Sequence, residues 1–192
     1  MKGLLAATVA LSAVLQGSLA LWPQPRSFSN GSTPIKLSPD FSVSASFGSP
    51  PQDLLSAIAL TQSYLKDDKL RRLVVGRGAS DAASISSAKQ LQSLSLSLNA
   101  EKSEVVESIT KEAQKPLEQR DESYTLTVPS NGSPATLRAN TTLGLFRGLT
   151  TFSQLWYYVN DQSYTLEAPI VIDDSPAFVR VFISSITLST DW

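Results

Sequence analysis

Apolar and polar residues alternate at residues 41–45 (FSVSA), 94–98 (LSLSL) and 124–128 (YTLTV). A period of two sends successive side chains to opposite faces, so each stretch predicts a strand with one wet face. Residues 135–139 (ATLRA) answer 124–128 across Asn131-Gly132, a dipeptide suited to a tight turn, which predicts a hairpin. Three further short strands are expected at 73–75, 164–167 and 169–172.

Two stretches carry the helical period instead. Leu54, Ala57, Ile58, Thr61 and Leu65 share one stripe, after a Ser49-Pro50-Pro51 start with Ser49 as cap and Asp53 in the first turn. The helix is expected to end near Leu65, before Asp67-Asp68-Lys69. The stronger helix follows Asn140, Thr141 or Thr142, any of which can cap it. Its apolar stripe is Leu145, Leu149, Phe152, Trp156 and Val159, with Arg147, Thr151, Gln154 and Tyr158 opposite. Gly144 and Gly148, four apart, mark places where a strand or loop packs closely on it. Residues 21–39 read as irregular with short extended pieces, 86–92 carry no assignment, and 101–118 form either an exposed helix or a loop. The sum is an α+β fold, a mostly antiparallel or mixed sheet with two main helices packed on it.

Composition narrows the chemistry. The 192 residues include no Cys and no His, which removes disulfides, thiol nucleophiles, the Ser-His-Asp triad and the commonest metal ligand. No metal or cofactor site is expected. A net charge of −1 without basic runs gives no footprint for nucleic acid. Gly76-Arg77-Gly78 lacks the residues of a phosphate loop and reads as a turn. Ser108 and Lys111 have the spacing of a Ser-Lys nucleophile pair, but in a charged segment that gives no such context.

The first twenty residues read as a secretory signal. Lys2 precedes an apolar run over 4–15, too short for the ~20 residues that span a bilayer, and Ser18-Leu19-Ala20 places cleavage after Ala20. The protein is therefore expected outside the cell, or in a vacuolar or lysosomal compartment reached by the same route. Asn30 and Asn140 then become candidate glycosylation sites, with Asn131 a weaker one because Pro134 follows its sequon.

Several segments resemble one family. These are residues 21–25 (LWPQP), 121–126 (DESYTL), 138–155 (RANTTLGLFRGLTTFSQL), 168–170 (API) and 172–178 (IDDSPAF), in order and with matching spacing. Together they resemble the zincin-like N-terminal domain of eukaryotic, fungal-type β-N-acetylhexosaminidases of glycoside hydrolase family 20. The resemblance implies a non-catalytic domain at 21–172 that packs against a following (β/α)8 barrel. In such enzymes the barrel removes terminal N-acetylhexosamines, using the substrate's acetamido oxygen and an Asp-Glu pair, and glycan is met only there. After Phe178 the likeness stops. The family places an Arg-Gly pair there, whereas Arg180 stands one residue early and is followed by Val181, so the sugar-binding role is not carried onto it.

Residues 173–192 therefore read as a linker and a divergent tail, and the chain as one cut before its barrel and inactive alone. The alternative is a free-standing secreted accessory module that binds glycan or protein. Asp121-Glu122 has the letters of the catalytic pair but follows Gln119-Arg120 and precedes an alternating strand, so a solvated loop is expected. Asp173-Asp174 reads as a turn leading to Pro176.

Overall fold

A computed structural model describes residues 21–67, 77–99 and 106–175. The strand expected at 73–75, Gly76, Ala20 and Arg180 lie outside these residues.

The strands are β1 (Ser27–Ala45), β2 (Lys89–Leu98), β3 (Tyr124–Val128), β4 (Ala135–Ala139), β5 (Tyr157–Val159) and β6 (Gln162–Asp174). The helices are α1 (Gln52–Asp67), α2 (Ala82–Ser87), α3 (Ile109–Gln114) and α4 (Thr142–Gln154). The fold is α+β with one mixed six-stranded sheet in the order β1-β2-β4-β3-β6-β5. β1 pairs parallel with β2 and antiparallel with β6. The pairing thus runs in a closed circuit through β1, β2, β4, β3 and β6.

The alternation has the expected consequence. Leu91, Leu94 and Leu96 of β2, Leu126 of β3 and Leu137 of β4 are fully buried, while Thr125, Thr127 and Arg138 face water. α4 sits on the apolar side: Leu145, Leu149 and Phe152 are buried in the same core as α1's Leu54, Ile58 and Leu65. Burying a large apolar side chain contributes about 1.5–3 kcal/mol, so the two stripes hold helices and sheet together. The two glycines act as expected. A Cβ on Gly148 would lie 2.2 Å from Leu137 Cδ1, and one on Gly144 would lie 2.4 Å from the Ser123 carbonyl oxygen.

Several expectations are corrected. The stretch read as irregular becomes β1 from Ser27 on, because β6 supplies partners that local sequence does not announce. Two bulges hide the pattern there, as the register shifts between Asn30 and Thr33 and again between Thr33 and Ile35. Gly31 sits at the first, where a Cβ would lie 2.5 Å from the Ala168 carbonyl oxygen. The segments 164–167 and 169–172 are one strand, β6, which runs on through Asp173-Asp174 rather than turning there. Ser49 is not the cap of α1; the Pro51 carbonyl accepts the N–H of Leu55 at 3.1 Å and Gln52 is the first helical residue. α4 ends at Gln154, so Trp156 packs edge-on to Phe152 from beyond the helix and Val159 belongs to β5. Thr151, placed on the polar stripe, is buried, its hydroxyl 2.6 Å from that of Tyr124. The open segment 101–118 holds α3 within its described part, capped by Ser108 accepting the Lys111 N–H.

Candidate functional site: a junction at one end of the sheet

The stretches that carry the family likeness are far apart in sequence and meet in space. β3 begins beside the end of β6, with Tyr124 paired to Asp174, and beside the end of β4, with Tyr124 paired to Ala139. α4 starts where β4 stops, and Thr141 caps it by accepting the Gly144 N–H at 3.0 Å. The Thr141 hydroxyl in turn donates to the Asp121 carbonyl at 2.5 Å.

Asp121 ties the junction together. Its Oδ1 accepts the Ser123 N–H at 2.9 Å and the Ser123 hydroxyl, and its Oδ2 accepts from Asn140 Nδ2 at 2.7 Å. Burial works against its charge, but the donors of Ser123 and Asn140 outweigh burial and hold the carboxyl below the usual carboxylate range. Glu122 is buried, with Oε2 2.6 Å from Arg147 Nε, which corrects the expectation of a solvated loop. The cause is tertiary, since Arg147 lies 25 residues away on α4 and brings the counter-charge that lets Glu122 enter the fold.

The Asp121 carboxyl is thus held ionised by its own donors, and Glu122 is engaged by Arg147. Among the described residues no cluster of acidic side chains could hold a metal ion.

The N-terminal stretch runs along α4, from Gln154 at the end remote from the Thr141 cap to Asp174 at the junction. The Trp22 N–H donates to Gln154 Oε1 at 2.8 Å, and Gln154 Nε2 donates to the Trp22 carbonyl at 3.0 Å. The Arg26 N–H donates to Asp174 Oδ1 at 3.2 Å. Trp22's backbone is thus fixed on α4 while its side chain stays 83% exposed. Five of the large exposed apolar residues belong to this helical layer: Leu55, Leu60 and Tyr64 on α1, Phe146 on α4, and Trp22 against it. Ser175, the last described residue, lines a cavity of about 280 Å³ together with Leu117, Glu118, Arg120, Asp121, Glu122 and Ser123.

The sequon residues sit differently. Asn30 is exposed on β1. Asn131 is exposed in the β3–β4 turn, its Oδ1 accepting the Ser133 N–H at 2.9 Å. Asn140 is committed on both sides of its amide, to Asp121 and to Asn99 Nδ2 at 3.0 Å, and the Thr142 hydroxyl of its sequon is buried and donates to the Glu107 carbonyl. The Arg147–Glu122 pair escaped the sequence reading because no local spacing links the two residues.

Comparison with known proteins covers the first three of the family-like stretches. A family model described as beta-acetyl hexosaminidase like matches residues 21–155. Beta-hexosaminidase subunit B1 of Dictyostelium discoideum is 44% identical over 61 residues, covering 30% of this chain and 11% of that protein. The Flavobacterium johnsoniae chitobiase structure superposes with a TM-score of 0.51 at 19% identity, over 81% of this chain and 20% of that one. CpGH84B superposes with a TM-score of 0.50 at 16% identity, over 84% of this chain and 23% of that one. The chain therefore spans about a tenth of the curated relative and about a fifth of each solved chain, and the structural likeness shows the shared fold.

Proposed function

From the chain's membership of the beta-acetyl hexosaminidase like family we propose that residues 21–174 are the non-catalytic N-terminal domain of a secreted β-N-acetylhexosaminidase. Such an enzyme hydrolyses terminal N-acetylhexosamine residues, and its chemistry belongs to a catalytic barrel that follows this domain. The domain's part is mechanical: it offers the barrel a rigid, pre-ordered surface. Arg180 has no sugar-binding part in this reading.

One observation supports it above the rest. The family-like stretches at 121–126, 138–155 and 172–175 meet at the junction around Asp121, Arg147 and Asp174. That junction contains hydrogen bonds and a paired carboxylate rather than a reactive group, as a platform needs. Phe146 beside it, and Trp22 at the far end of α4, are exposed in the way interface anchors are before their partner covers them.

The test is direct. Purified 21–192 should not hydrolyse a chromogenic N-acetylglucosaminide; turnover at ordinary glycosidase rates, after contaminating enzyme is removed, would refute the reading. Expression through a secretory pathway should yield a mature N-terminus at Leu21. Deglycosylation should lower the apparent mass, and Asn30→Gln should remove that shift if Asn30 carries a glycan.

A further inference from the structure

Away from the junction, a second ionic cluster joins residues 77–81 to β5 and β6. Tyr164 of β6 is fully buried, and its hydroxyl donates to Asp81 Oδ2 at 2.7 Å while accepting the Gly78 N–H at 2.9 Å. Gly78 has φ +94°, the left-handed region in which glycine is favoured. Arg77 lies over the Tyr157 ring of β5, 5.3 Å from its centre. Its guanidinium is 3.9 Å from Asp81 Oδ1 and 3.9 Å from Glu167 Oε1. One cation is therefore shared at equal distance between two carboxylates.

Glu167 is the unusual member. Between Thr33↔Ala168 and Ile35↔Thr165, β6 advances three residues while β1 advances two. That bulge turns Glu167 toward the side of Tyr164, three residues before it, which a regular strand would not do. Neither Glu167 oxygen has a hydrogen-bond partner among the described residues, although its side chain is only 7% exposed. A buried carboxylate normally accepts several donors. Its counter-charge among the described residues, Arg77, stands beyond hydrogen-bond distance and is 23% exposed.

Among the described residues, the other titratable groups around it are Tyr157, Tyr164 and Asp81. Lys36 of β1 is turned away, its Nζ donating to the Ile85 carbonyl at 3.1 Å, and α2 carries no titratable side chain.

We propose that Glu167 is a proton-operated latch: in acid it takes up a proton, Arg77 passes to Asp81, and the cluster formed by residues 77–81, β5 and β6 is more stable than at neutral pH. The direction follows from the surroundings. Burial raises the Glu167 carboxyl above its ordinary value, and Arg77 opposes this only partly. A carboxyl whose folded pKa lies above its unfolded one binds its proton more tightly in the fold. Its contribution is fully present below the ordinary glutamate value, about 4.3, and is lost as pH rises through the raised value. The two partners are also unequal. Removing Glu167 leaves Arg77 beside Asp81 and water, whereas removing Arg77 strands a buried anion.

Thermal melts of the 192-residue chain across the range from about pH 4.3, the ordinary glutamate value, to about pH 7.5 test the latch, since the contribution is lost as pH rises through the raised value. Glu167→Gln should melt at or above the wild type at neutral pH, and the gap should shrink or vanish in acid. Arg77→Met should lose most at neutral pH, regain stability in acid, and be rescued at neutral pH by adding Glu167→Gln. If Glu167→Gln instead melts below the wild type at neutral pH, with no rescue of Arg77→Met, the pair is an ordinary salt bridge and the latch is wrong. A carboxyl carbon resonance of Glu167 that titrates at or below the ordinary glutamate range would overturn it equally.

Discussion

Gly144→Ala offers the sharpest test of how the junction is built. The added methyl would lie 2.4 Å from the Ser123 carbonyl oxygen and 2.9 Å from Ala139 Cβ. Neither obstacle moves easily. Ser123 is held through both its N–H and its hydroxyl by Asp121, and Ala139 is buried in the pairing of β3 with β4. Against the clash stands the ordinary gain of replacing glycine within a helix, about 0.5–1 kcal/mol. Overpacking costs about 1–3 kcal/mol, and a backbone obstacle places this site toward the upper end. The net loss is then about 1–2 kcal/mol, or roughly 2–8 °C in Tm for a chain of this size.

Gly148→Ala is the built-in comparison. Its nominal contact is shorter, 2.2 Å, but meets the end of the Leu137 side chain, which can rotate at some cost. Reversible thermal unfolding followed by far-ultraviolet circular dichroism should show a smaller loss for Gly148→Ala than for Gly144→Ala. A Gly144→Ala protein that melts at or above the wild type would show that α4 does not press on the Asp121–Ser123 loop as described.

Other consequences are open to measurement. Arg147→Met leaves Glu122 buried without its cation and should cost about 1 kcal/mol, a value discounted because the arginine is half exposed, with Glu122→Gln in the same background recovering part of it in urea melts. Tyr124→Phe and Thr151→Val should each cost about 1–3 kcal/mol by orphaning the other hydroxyl, and the double variant should cost less than the sum. In an ultraviolet titration Tyr124 and Tyr164 should ionise at about 12, chiefly because both are buried, and each Phe variant should delete part of that late phase. Asp121 is held below its ordinary value, so its contribution is present above about pH 4 and is lost as pH falls through its folded pKa; Asp121→Asn should flatten the acid limb of a stability–pH curve.

Elements whose periodicity is local were legible from sequence. The stripe of α1, the hairpin of β3 and β4, and the start of α4 with its two packed glycines all announce themselves within about a dozen residues. What stayed hidden depends on distant partners. The first half of β1 has no clean alternation because two bulges reset it, and its partner β6 lies more than a hundred residues away. Glu122 reads as an exposed loop residue until Arg147 arrives from α4. Glu167 looks like the outward position of an alternating strand, and only the bulge beside it sends it inward. The candidate site was half legible: its stretches could be marked one by one, but nothing in their spacing said that they meet.

The circuit of strands also fixes an order of events. β1 is made first and closes only against β6, the last strand of the described chain, with Ser27 opposite Asp173 and Lys36 opposite Tyr164. Such long-range closure is entropically costly and slow. A ribosome must therefore release the chain through Asp174 before β1 finds its second neighbour, and until then Ile35 and Leu37, buried in the finished fold, lack part of their cover.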